Sequence, residues 1–216
     1  MTQDDRAWLT LAHAYVNTAE LDELLKRFGD VDTIVRQTRS GLKATGIAES
    51  KCDAITSPDI AQLDAGLEWL QQDRHHLVTF ASDDYPELLT QIRGAPLVLY
   101  VNGYVDALHM PSLAIVGSRR ASPAGLRAAR MLASGLAGAG LHICSGLARG
   151  IDGAAHEGAL AGGGLPEPFS IEGVGGQGDS PGWVRPVRAK EGPVQVDARH
   201  PQPGQFVVLL PVHDAP

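Results

Sequence analysis

Residues 113–157 constrain the fold more than any other stretch, because they read as two consecutive units of strand, small-residue loop and helix. Leu113 to Val116 is a short continuous apolar run, the pattern of a strand buried on both faces of a parallel sheet. A turn of Gly117, Ser118, Arg119 and Arg120 follows. Ser122 stands where a helix N-cap belongs and Pro123 at the first helical position. Leu126, Ala129, Met131, Leu132 and Leu136 then recur at helical spacing until Gly138 and Gly140 stop the helix. Leu141 to Cys144 reads as a second strand, Ser145 to Gly150 as a second glycine-rich loop, and Ile151 to Leu160 as a second helix. The result is a β-α-β-α crossover with both loops at one edge of the sheet.

That geometry implies an anion site. A helix N-terminus offers backbone N–H groups and partial positive charge, and glycine lets a backbone approach a ligand closely. Gly117 and Gly125 fit this role in the first loop, Ser118 adds a hydroxyl, Arg119 a planar fork for two phosphate oxygens, and Arg120 further charge. Ser145, Gly146, Arg149 and Gly150 repeat the arrangement in the second loop. Asp152 is placed to orient Arg149 or cap the helix, and His156 lies one turn beyond.

At VGSRRASPAG and SGLARGIDGAAHEGAL the chain resembles the DNA-processing protein A (Smf) family, and upstream DDYPELLTQIRGAPLVLYVNG is similar to that family's lead-in to its Rossmann-like domain. The three motifs stand in order over residues 83–160. The resemblance implies a protein that protects incoming single-stranded DNA in natural transformation and loads a RecA-type recombinase onto it. It implies that Gly117, Ser118 and Arg119 bind DNA phosphate and that the loop from Ser145 to Asp152 completes the pocket. Arg120, Ser122 and Gly125 join this expected set. For full-length members it also implies a homodimer. The expected fold class is α/β, a Rossmann-like doubly wound parallel sheet, here incomplete, preceded by a small helical domain.

The net charge of −7 bears on this expectation only through its distribution. Residues 1–90 hold 8 Lys and Arg against 16 Asp and Glu, residues 91–164 hold 6 against 3, and residues 165–216 hold 4 against 6. The motif segment alone is basic, and affinity for nucleic acid follows the charge near the phosphates rather than the total. Arg127 and Arg130 read as a solvated helix face; Arg119 reads as part of the site. There is no apolar run near 18 residues and no basic-then-apolar N-terminus, so membrane insertion and secretion are not indicated and the cytoplasm is expected. Cys52 and Cys144 form no C-x-x-C pair and read as small core residues.

Three domains are expected: residues 1–73 helical, 74–162 a partial Rossmann-like domain, and 163–216 a poorly ordered tail. In the first, Trp8, Leu9, Leu11, Ala12, Tyr15 and Val16 mark one amphipathic helix, Leu21, Leu24, Leu25 and Phe28 a second ended by Gly29, and Val31, Ile34 and Val35 a third. Ser40 to Ile47 reads as a turn, open to two interpretations: a helix-hairpin-helix presenting N–H groups to phosphate, or a connector in a small bundle. Ile60, Leu63, Leu67 and Leu70 mark a last helix. The family resemblance agrees, since members commonly carry a sterile-alpha-motif-like helical domain here. In the second domain, Leu77 to Ala81 and Leu97 to Val101 are strand-like, separated by a short helix over Pro86 to Ile92, and belong to the sheet whose next strand is Leu113 to Val116. His75 and His76, adjacent on a strand, face opposite ways and do not chelate together, so no metal is expected.

Residues 161–216 hold 10 Gly and 9 Pro among 56, a range in which ordered packing fails. The family's later motifs are absent and only Gln205 to Val212 is strand-like, so the tail reads as an interrupted reading frame and leaves the sheet an open edge. The expected function is non-enzymatic and without cofactor. The alternative is a nucleotide-phosphate-binding enzyme of the lysine-decarboxylase-like phosphoribohydrolase type, with Asp152 and Glu157 as its carboxylates, although its glycine and Arg-plus-Glu signature is absent. A nicotinamide dehydrogenase is excluded by the lack of G-x-G-x-x-G after Val116.

Overall fold

The computed structural model describes residues 3–92, 94–146, 148–163, 170–174 and 207–209. The chain divides into two compact units, one holding residues up to Tyr100 with Gly173 and Val174, the other beginning at Val101.

The first unit opens with six helices: α1 (Gln3–His13), α2 (Thr18–Phe28), α3 (Val31–Val35), α4 (Arg39–Lys43), α5 (Glu49–Thr56) and α6 (Ile60–Trp69). Their boundaries follow from capping chemistry. Asn17 and Glu20 form a reciprocal capping box on α2, and Asp30, Thr38 and Asp59 cap α3, α4 and α6 by accepting from the third backbone N–H. Each such cap stabilises its helix by about 1 kcal/mol. Gly29, at φ 93°, ends α2 in a conformation that a side chain disfavours. Leu9, Leu11, Val16, Leu24, Ile34, Leu42, Ile55 and Leu63 are buried. Tyr15 departs from the expected first helix: α1 ends at His13, and Tyr15 has φ 55° in the turn before Asn17.

The segment expected as a turn at residues 40–47 is half helix. Ser40, Gly41 and Leu42 lie in α4, and the turn proper is Ala44 to Ile47, with Gly46 at φ 89°. Its backbone closes on itself, since Thr45 and Gly46 donate to Leu42 and Lys43 carbonyls. Arg39 pairs with Glu49 and Asp53, and Lys43 with Glu49. The hairpin's cations are thus already balanced by carboxylates, which favours the connector interpretation.

Two strands follow, β1 (His75–Thr79) and β2 (Val98–Asn102), with the single-turn helix α7 (Glu87–Thr90) between them, shorter than the expected Pro86 to Ile92. Gly66 allows α6 to approach β2: a Cβ there would stand 3.6 Å from the Tyr100 ring carbon and closer still to its hydroxyl. Trp69 packs edge-on against Tyr100 and stacks on His75, whose Nδ1 lies 2.7 Å from the Trp69 carbonyl oxygen.

Strand β2 does not take Leu113 to Val116 as its neighbour. Its two edges belong to β1 and to a strand the sequence reading missed, β5 (Ser170–Val174); next to β2, the Leu97 N–H donates to the Val174 carbonyl at 3.1 Å. The physical reason for the miss is composition. Ser-Ile-Glu-Gly-Val contains a glycine and lies in a Pro- and Gly-rich stretch, yet Gly173 is needed because a Cβ there would press on the Pro96 ring at 2.7 Å.

The second unit is built on β3 (Ser112–Ala114), α8 (Pro123–Gly138), β4 (His142–Cys144) and α9 (Ile151–Ala161), with a 3-10 turn over Val105–His109 before β3. Strands β3 and β4 pair in parallel, Leu113 opposite Ile143, and the ladder continues through Ile115 N–H to the Cys144 carbonyl at 2.9 Å. Strand β5 also pairs antiparallel with β6 (Val207–Leu209), inside the segment expected to be strand-like; the rest of the tail lies outside the described residues.

Two expectations about this unit change. The first strand is not buried on both faces: Ser112, Leu113 and Ala114 are exposed and only Ile115 is buried, because among the described residues β3 pairs with β4 alone and its core lies on one side. Nor does α8 bury Met131 and Leu132, which are 76% and 54% exposed. Its buried residues are Ala129, Ala133 and Ala137, and the last two pack with Ile115, Ile143, Ala155 and Ala159. Small residues face inward because α8 and α9 meet almost backbone to backbone. A Cβ on Gly158 would stand 2.7 Å from the Arg130 Cα, and one on Gly162 2.8 Å from the Ser134 Cα. Among the described residues no helix is long and apolar enough to cross a membrane.

Candidate anion-binding site

Both loops follow the C-terminal ends of the parallel strands β3 and β4, and α9 binds them together. The Asp152 carboxylate, buried in the first turn of α9, accepts from the Gly117 N–H at 3.2 Å. Ile151 N–H donates to the Ser118 carbonyl at 3.2 Å, and the Ile151 side chain fills the space where a Gly117 Cβ would stand, at 2.7 Å. Gly150, at φ 91°, sits so close to the first loop that a Cβ would run into the Ser118 carbonyl and lie 2.9 Å from the Arg119 Cα. Glycine is required there twice over, for its backbone conformation and for the contact. Ser145, buried, donates from Oγ to the Ile115 carbonyl at 2.7 Å, joining the start of the second loop to the end of the first strand.

These bonds dispose of several groups expected to face a ligand. Gly117 N–H is held by Asp152, Arg120 N–H by Ser118 Oγ at 3.1 Å, and Gly125 N–H by the N-cap Ser122 Oγ at 3.1 Å. The first N–H of α9 is given to Ser118, and Pro123 has none. Ser145 Oγ points inward, and Gly146 lies against Asp152, a Cβ there meeting Oδ2 at 3.2 Å. What remains outward is charge. Arg119, Arg120 and Arg149 are exposed, as is Arg127 on the flank of α8, and among the described residues none of the four has a carboxylate partner. Arg130 differs, its Nε paired with Glu157 at 2.6 Å.

Asp152 therefore neither orients Arg149 nor stands open; it braces one loop against the other. Ile151, Gly158 and Gly162 carry much of this arrangement and were not singled out by the sequence reading, because a residue that supplies only space leaves no chemical signature. A G-x-x-x-G spacing at 158 and 162 was the available signal.

The chain's relatives match this architecture. The family model for DNA recombination-mediator protein A covers residues 76–166. Protein Smf of Escherichia coli is 41% identical over 119 residues, 55% of this chain and 32% of that protein. DNA processing protein DprA of Streptococcus pneumoniae is 45% identical over 82 residues, 38% of this chain and 29% of that one. The chain thus spans about a third of the length of these relatives. The X-ray structure of the S. pneumoniae protein superposes with a TM-score of 0.58 at 27% identity, covering 76% of this chain and 56% of that one. The fold is α/β and Rossmann-like with a helical part before it, and residues 76–166 of the chain match the DNA-processing protein A (DprA/Smf) family.

Proposed function

We propose that this chain is a non-enzymatic, cytoplasmic single-stranded DNA-binding protein of natural transformation, which protects incoming DNA and helps to load a RecA-type recombinase. The observation that carries this reading is the cluster of exposed arginines, Arg119, Arg120 and Arg149, without carboxylate partners among the described residues, on two loops fixed to each other through Asp152 and Gly150. An exposed planar guanidinium on a fixed loop suits phosphate oxygens, and neighbouring guanidiniums suit a polyanion. Gly117, Ser118, Ser122, Gly125, Ser145, Gly146 and Asp152 hold the loops in shape, and Arg119 makes the principal phosphate contact. Residues 1–73 act as an accessory helical domain to the DNA-binding domain at 74–162, and homodimerisation is proposed for full-length members.

A phosphoribohydrolase-type enzyme is less well supported, because its candidate carboxylates are engaged: Asp152 by Gly117 N–H and Glu157 by Arg130. Titration of the full chain with fluorescent oligodeoxynucleotide, competed by ATP, NAD and AMP, tests the choice. Submicromolar oligonucleotide binding that millimolar mononucleotide fails to displace supports the proposal; displacement by a mononucleotide at its own stoichiometry overturns it.

A further inference from the structure

The bonds that fix the two loops also decide which hydrogen-bonding groups they turn outward. Four residues within 117–125 and 145–152 carry a side-chain oxygen: Ser118, Ser122, Ser145 and Asp152. Ser145 and Asp152 are buried, the first donating to the Ile115 carbonyl at 2.7 Å and the second accepting from the Gly117 N–H at 3.2 Å. Ser118 and Ser122 are exposed, yet the Oγ of each accepts a backbone N–H at 3.1 Å, from Arg120 and from Gly125. A hydroxyl that accepts from its own loop keeps its hydrogen to give away, and a guanidinium only donates, so these serines and Arg119, Arg120 and Arg149 offer a ligand donors. The carbonyls of Ser118, Ala148 and Gly150 already accept from the Ile151, Gly153 and Ala154 N–H groups. Neither stretch contains an aromatic residue or a side-chain amide, and the Ile151 side chain is turned onto Gly117.

We infer that the two-loop site does not distinguish ribose from deoxyribose, so that single-stranded RNA is a ligand equivalent to single-stranded DNA. The inference rests on the proposed phosphate-binding role of Arg119, Arg120 and Arg149. Both strands carry the same phosphodiester anion, and groups that donate to its oxygens grip either equally. What differs is the 2′-hydroxyl, through which a protein tells RNA from DNA at a given site. A site that favours RNA gives that hydroxyl an acceptor for its hydrogen. A site that favours DNA sets an apolar side chain against C2′, where a hydroxyl would lose its water and gain no partner. Among the described residues the loops present no exposed carboxylate or amide oxygen to take the hydrogen and no large apolar side chain to exclude it. They also lack the aromatic platform on which bases of either strand would stack.

The test is the affinity of the full chain for labelled oligodeoxyuridine and oligouridine of equal length, which carry the same base on the two sugars. Fluorescence anisotropy at one salt concentration reads both strands, for the parent and for Arg119→Ala. The parental affinities are expected to agree within about threefold, less than a single net hydrogen bond to a 2′-hydroxyl would produce. Arg119→Ala is expected to weaken both strands by about tenfold or more, the loss of a charge-assisted bond that each makes alike. A parental ratio above that threefold limit, in either direction, overturns the inference. So does an Arg119→Ala variant that weakens the deoxyribose strand alone, because RNA would then be held elsewhere on the chain. In both of these outcomes the phosphate site stands as long as Arg119→Ala weakens the deoxyribose strand. If Arg119→Ala binds that strand like the parent, the phosphate site itself is wrong and the inference falls with it.

Discussion

Replacing Arg119 by alanine probes the site at the point where the structure leaves least redundancy. The loop N–H groups of Gly117, Arg120 and Gly125 and the first N–H of α9 are committed to internal acceptors, which raises the share of the grip on a phosphate that falls to the guanidinium groups. A hydrogen bond to a charged group contributes about 1.5 to 3 kcal/mol, which sets the expected loss for Arg119→Ala at roughly ten- to more than hundredfold in affinity. The fold should be unaffected, because the side chain is exposed and has no carboxylate partner among the described residues. Arg119→Lys should recover only part, since an ammonium cannot make the two-pronged contact. Arg127→Ala, on the flank of α8, should change affinity much less. Anisotropy of a labelled single strand at one salt concentration reads all three, with circular dichroism as the check on folding. Parental affinity in Arg119→Ala, or its unfolding, would refute the assignment of this loop.

Three further outcomes are expected. Log affinity for single-stranded DNA should fall linearly with log salt, with a slope of roughly −0.7 per phosphate contacted, and a flat dependence would exclude a phosphate site. Gly150→Ala should destabilise the unit by about 2 kcal/mol or more in urea titration, because it forces a side chain into φ 91° and against the first loop; a loss below about 0.5 kcal/mol would show that the two loops are not tightly apposed. His13, on α1, has its pKa lowered by burial from 6.5 to about 4, with Asp59 acting in the opposite sense. The folded state therefore binds fewer protons than the unfolded one between those values, so stability is retained above pH 6.5 and lost as pH falls through the window, by up to about 3 kcal/mol. His13→Leu should flatten denaturant midpoints over this range, and an unchanged slope would contradict it.

The sequence conveyed the parts of this fold that depend on polar end-groups and on chain punctuation. Ser122 and Pro123 announced the start of α8, Gly29 the end of α2, and the two strand-loop-helix units their parallel pairing. It conveyed less where the signal is an absence of side chain. Met131 and Leu132 satisfied the apolar periodicity but face outward, while Ala129, Ala133 and Ala137 are buried, and Gly158 and Gly162 bring α9 against the backbone of Arg130 and Ser134 in α8. Hydrophobic periodicity assumes that large residues mark the buried face, and it misassigns the face when two helices approach at backbone distance. The same limit applies to the site. Counting glycines and helix starts predicted free N–H donors, yet a glycine admits whatever comes close, and at Gly150 and Gly117 the occupant is the neighbouring loop and Ile151. What such a pattern specifies is close approach; whether it is to a phosphate or to the protein's own backbone is decided by the partner element. Here α9 supplies the carboxylate and the isoleucine that close the contact, and the arginines left outside define the surface available to an anion.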